Sequence, residues 1–78
     1  MDKNKLKILF KIIEDVLGAK KGTVDIDSNA DTIDNWDSIN IVNLMIAIEE
    51  NYEFSMTIEE AIELTSVKKI ISLIERND

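Results

Sequence analysis

Apolar residues return at helical spacing in several stretches of this chain, separated by polar segments without a period. In Lys3 to Leu17, Leu6, Leu9, Ile13, Val16 and Leu17 recur at three- and four-residue steps with Phe10 beside them, and lysines take much of the remaining circumference. This pattern predicts an amphipathic helix of about four turns with Gly18 as its stop. Lys20 and Lys21 follow, where they offset the negative end of the helix dipole. Residues 19–36 lose the period and are rich in Asp, Asn, Ser, Thr and Gly. A loop of this length in a small domain is anchored by its own side chains or is functional. Val24, Ile26 and Ile33 are the expected anchors.

Between Ile39 and Ile48 only Asn40 and Asn43 are polar. At about 100° per residue, Ile41, Leu44, Met45, Ile48 and Tyr52 share one side of a helix. Ile39, Val42 and Ile46 fall on the opposite side, with Asn43, Glu49 and Glu50 beside them. A small domain buries one stripe of such a helix in its core, so the second stripe must meet something else. After Tyr52-Glu53-Phe54 the chain turns. Thr57-Ile58-Glu59-Glu60 fits a capping box that starts a short helix through about Leu64, with Ile58, Ala61, Ile62 and Leu64 as its apolar residues. Thr65-Ser66 caps a last helix with Val67, Ile70, Ile71 and Ile74 as its stripe and Leu73 alongside, fraying by Asn77. Three longer helices and one short one predict an all-α, up-and-down four-helix bundle over residues 1–78, a single domain.

The start of the second helix holds the candidate chemistry. Asp37 suits the N-cap, with its carboxylate facing free amides and the positive end of the dipole. Trp36 then occupies N′ and Ile41 occupies N4, the spacing of a hydrophobic staple. Ser38 falls at N1 with its hydroxyl near solvent, where a phosphate-linked group would lie beside unpaired backbone amides. In this reading Ser38 is an attachment site and the stripe of Ile39, Val42 and Ile46 below it is a docking surface. The competing reading makes Ser38 merely a cap, since Ser and Asp before a helix are commonplace.

Composition narrows the function further. The chain has no cysteine and no histidine. It therefore lacks a disulfide framework, a thiolate nucleophile, the usual general base and the commonest metal ligand. Without a base to activate it, Ser38 does not read as a hydrolase nucleophile, and no catalytic residue is expected. The net charge is −7 and unevenly spread: all eleven acidic residues from Asp25 to Glu63 lie in a span without lysine or arginine. Such a surface repels nucleic acid and anionic lipid and favours partners with basic patches. No apolar run approaches the roughly 20 residues of a membrane span. Nothing resembles a signal peptide, so the cytoplasm is the expected compartment.

Asp25, Asp27, Asn29 and Asp31 alternate like the opening of a calcium loop. The match then fails, with Ala30 where glycine makes the sharp turn and Trp36 where a bidentate glutamate belongs. A polar, solvated loop is the better account, and no metal site is expected.

Taken together, the amphipathic first helix, the acidic loop, Trp36-Asp37-Ser38-Ile39, the second helix ending Ile48-Glu49-Glu50, and the short third and longer fourth helices resemble an acyl carrier protein over nearly all 78 residues. The resemblance implies that Ser38 bears a 4′-phosphopantetheine arm, set in place by a separate phosphopantetheinyl transferase using coenzyme A. Acyl groups would travel on the arm's thiol as thioesters. Such a carrier is non-catalytic and monomeric, and serves acyl-transferring or synthase enzymes in a fatty-acid, polyketide-like or other specialised acyl pathway. Those partners would read Ile39, Val42 and Ile46, with Asp37, Glu49 and Glu50 supplying charge. Two features depart from carriers of fatty-acid synthesis: Asn40 and Asn43 stand where acids are common, and Trp36 stands where a small residue is usual. The tryptophan is closer to specialised carriers in polyketide-like or lipid-modifying pathways. The alternatives are an unmodified carrier-like adaptor and a small calcium-binding protein using the Asp25–Asp31 loop.

Overall fold

In a computed structural model that describes residues 1–77, four helices follow one another: α1 (Lys3–Leu17), α2 (Ser38–Tyr52), α3 (Ile58–Ile62) and α4 (Val67–Arg76). Each begins at a side chain able to accept from an amide that the helix itself leaves unpaired. Asp2 accepts from Lys5 N, Asp37 from Asn40 N, Thr57 from Glu60 N and Ser66 from Lys69 N. At α3 the capping box is reciprocal, because Glu60 reaches back to the Thr57 amide at 2.9 Å. α1 ends where expected, with Gly18 in the left-handed conformation at φ 66, a backbone geometry that glycine adopts at little steric cost.

The expected stripes converge on one core. Leu9 and Ile13 of α1, Leu44 and Ile48 of α2, and Val67 and Ile70 of α4 are fully buried together with Leu64. Burying a side chain of this size contributes about 1.5–3 kcal/mol. α1 and α3 both pack against α2. Leu73, placed beside the α4 stripe by periodicity, is buried, whereas Ile71, placed within that stripe, is only partly so. α3 is shorter than its apolar pattern suggested. It closes at Ile62, and Leu64 reaches the core from a tight turn in which its amide donates to the Ala61 carbonyl. Ile58 and Ile62 face solvent, 68% and 65% exposed.

The long loop is ordered by its own polar groups. Val24 is a core residue and Ile33 packs against the core, as expected of anchors. Ile26 is not an anchor; it is exposed. The reason is a turn from Asp25 to Ser28, in which Ser28 N donates to the Asp25 carbonyl and Asp25 N donates to Ser28 Oγ. That turn puts Ile26 on its outer corner. Farther along, Ala30 N donates to the Thr65 carbonyl and Val67 N to the Ser28 carbonyl. These two bonds strap the loop to the start of α4. Glu14, buried on α1, accepts from Gly22 N at 2.8 Å and Val24 N at 3.3 Å through one carboxylate oxygen. The alternating acids also serve the loop. Asp25 Oδ1 accepts from Asp27 N, Asn29 Oδ1 accepts from Asp31 N, and Asp27 pairs with Lys68 at 3.1 Å. Among the described residues no acidic side chains cluster as a metal-binding group.

Candidate functional site

The candidate site is the mouth of α2, and the residues before it fix its shape. Trp36 is buried, and its indole nitrogen donates to the Leu64 carbonyl at 2.8 Å. Trp36, at the N′ position, belongs to the core cluster, and Ile41, at N4, is half-buried and packs against it. Asn35 has a left-handed backbone, φ 69. Its carbonyl accepts from Asp37 N and its side-chain amide donates to the Leu17 carbonyl at the end of α1.

Asp37 takes the capping role outright. Its Oδ1 accepts from Asn40 N at 3.0 Å and its carbonyl accepts from Ile41 N at 2.9 Å. Ser38 is therefore the first helical residue and not the cap, and it lies exposed. Among the described residues the amides of Ser38 and Ile39 have no carbonyl partner. They point out of the positive end of the helix beside the Ser38 hydroxyl, an arrangement suited to a phosphate. A phosphodiester on Ser38 thus fits the groups present: an accessible hydroxyl, a free N-terminal turn and no side chain covering it. No histidine stands near to take the hydroxyl proton, because the chain has none.

Below Ser38 the two stripes separate as periodicity predicted. Leu44 and Ile48 are fully buried, whereas Ile39 is 76% exposed and Val42 and Ile46 about half exposed. The acidic residues beside that exposed stripe do not all point outward. Glu49 is half-buried and accepts from Met56 N at 2.9 Å, which ties the end of α2 to the segment before α3. Glu50 is exposed. With Ile46, Glu49, Glu53, Phe54 and Ser55 it lines an open notch of about 380 Å³. Glu53 ends α2 in a left-handed conformation at φ 54.

Three features of the site do not follow from the periodicity of the sequence. These are the indole bond to Leu64, the left-handed Asn35, and the exposed pair Ile58 and Ile62 on the helix that packs against α2. Asparagine, the non-glycine residue most tolerant of positive φ, was the available signal for the second. The first and third depend on where α3 sits.

A family model described as a phosphopantetheine attachment site matches residues 7–74. The chain is 37% identical over 70 residues to an acyl carrier protein of Buchnera aphidicola subsp. Baizongia pistaciae, covering 90% of both proteins. It is 35% identical over 65 residues to an acyl carrier protein of Akkermansia muciniphila, covering 83% of this chain and 81% of that protein.

Proposed function

The chain belongs to the acyl carrier protein family, and on that premise we propose that Ser38 is the residue bearing its covalent 4′-phosphopantetheine. The observation that carries this reading is the division of labour at the helix mouth: Asp37 caps α2, so the exposed hydroxyl of Ser38 is left for another use. The arm, once bound, supplies a thiol on which acyl groups are held as thioesters. The chain's own part is to present the hydroxyl, to receive the phosphate beside two free amides, and to offer a surface that partners can recognise.

That surface is the exposed stripe of Ile39, Val42 and Ile46, with the acidic notch around Glu49 and Glu50 at its far end. Asp37 adds charge at the near end, although its carboxylate already caps α2. Ile58 and Ile62, on the helix that packs against α2, are further exposed apolar residues. An apolar stripe with carboxylates at its ends favours fast, salt-sensitive and short-lived association with basic partners. These partners are a phosphopantetheinyl transferase and acyl-transferring or synthase enzymes. The cargo belongs to a fatty-acid, polyketide-like or other specialised acyl pathway, and Asn40 and Asn43, which leave the first turns of α2 without acids, weigh against the standard fatty-acid enzymes as partners. A single, monomeric carrier domain working in the cytoplasm completes the proposal.

Incubation of the apo protein with coenzyme A and a phosphopantetheinyl transferase, followed by intact-mass measurement, tests the assignment. One arm is expected on the wild type and none on Ser38→Ala. A gain that persists in Ser38→Ala would move the attachment elsewhere. No gain at all, with a stable partner complex indifferent to Ser38→Ala, would make the chain an adaptor.

A further inference from the structure

The turn into α2 is held by a chain of side-chain amides. Asn35, at φ 69, occupies a conformation that costs an L-residue free energy, though asparagine less than most. Its carbonyl consequently turns toward α2. There it accepts from Asp37 N at 2.9 Å and from Asn40 Nδ2 at 2.7 Å. Asn40 is bonded in two further directions: its backbone N–H donates to Asp37 Oδ1, and its Oδ1 accepts from Asn43 Nδ2 at 3.1 Å. At the other end, Asn35 Nδ2 donates to the Leu17 carbonyl at 3.2 Å. The bonds run without a break from the end of α1 to the second turn of α2 and straddle Ser38.

We propose that Asn40 is a positioning residue for Ser38, its side chain closing onto the Asn35 carbonyl to hold the Asn35–Asp37 turn in the one geometry that presents the serine hydroxyl outward. The inference rests on Ser38 being the attachment point. A neutral amide is required for this role. It donates to one carbonyl and accepts from Asn43 at once, whereas a carboxylate would lack the donor and would set a negative oxygen against the Asn35 carbonyl. The neutral first turn of α2 is then a consequence of the clamp. Opening the clamp leaves Trp36 and Asp37 in place, so its loss should loosen the turn without unfolding the bundle.

Asn40→Ala tests the clamp, because alanine keeps the helix and removes only the side-chain bonds. If a smaller fraction of carrier has the turn set, a transferase sees a weaker substrate by that fraction. The KM for arm transfer from coenzyme A should rise roughly two- to tenfold, the span of one net hydrogen bond, with kcat unchanged. Hydrogen exchange at the Asp37 amide should accelerate by a similar factor while that of Ile70 in α4 stays as in the wild type. An unchanged KM would overturn the proposal, and so would a rise matched by faster exchange at Ile70, which would mean general loosening. Should the wild type itself take no arm, the reading of Ser38 fails and the inference with it. Should the wild type take the arm and Asn40→Ala behave identically, only the clamp fails.

Discussion

The indole nitrogen of Trp36 donates to the Leu64 main-chain carbonyl across 2.8 Å of buried interior, 28 residues away in sequence. This bond joins the turn that presents Ser38 to the junction between α3 and α4. It satisfies a carbonyl that the short α3 leaves beyond its end, and it lets a residue with a polar edge sit in an apolar core. The position of Ser38 is therefore set in part by helices that do not contain it.

Trp36→Phe keeps most of the apolar volume and removes the donor. A buried carbonyl left without a partner costs about 1–3 kcal/mol, so thermal unfolding should shift down by roughly 5–15 °C for a chain of this size. Circular dichroism melts check this. An unchanged midpoint would show that water replaces the indole.

Glu14 closes the loop onto α1 through the Gly22 and Val24 amides. Glu14→Ala strands both donors, one of them buried. The expected loss is about 2 kcal/mol, within the range for bonds to a charged group, with faster hydrogen exchange at Gly22 and Val24 than in the wild type. Equal exchange at both amides would contradict it.

The two stripes of α2 should separate stability from recognition. Leu44→Ala, at a fully buried site, should cost about 2–5 kcal/mol. Ile39→Ser, at a position 76% exposed, should change stability by less than about 0.5 kcal/mol yet slow acyl transfer by partner enzymes. Glu50→Gln should lower the association rate and flatten its dependence on salt. Urea melts and transfer kinetics at two ionic strengths distinguish these outcomes.

Tyr52 donates its hydroxyl to the Lys5 carbonyl at 3.1 Å, and burial pushes its pKa above the ordinary tyrosine value of 10.0. Between the unfolded and folded values the unfolded chain has lost this proton while the folded chain keeps it. Unfolding then releases a proton, so the tyrosine's contribution to stability is present below pH 10 and falls as pH rises through that window. Tyr52→Phe should remove this part of the alkaline slope. Denaturant titrations of both proteins at several pH values above 9 measure the difference, and parallel slopes would refute it.

Much of this protein is legible one segment at a time. The bounds of α1, the capping box at Thr57, the N-cap at Asp37 and the two faces of α2 follow from periodicity and local hydrogen bonding. These are interactions between residues three or four apart, which the chain specifies wherever it sits. The exposure of Ile39, Val42 and Ile46 follows on the same grounds, because a helix apolar on both sides cannot bury both in a core this small. Tertiary structure decided the rest. Ile26 faces water because the Asp25–Ser28 turn places it on a corner, and Glu49 is half spent on the Met56 amide because α2 ends against the chain leading to α3. Trp36 is anchored to Leu64, and Asn35 to Leu17, across intervals that no periodicity spans. Local spacing dictates which groups a helix presents; only packing between helices determines which of them find partners inside the chain and which remain for another molecule.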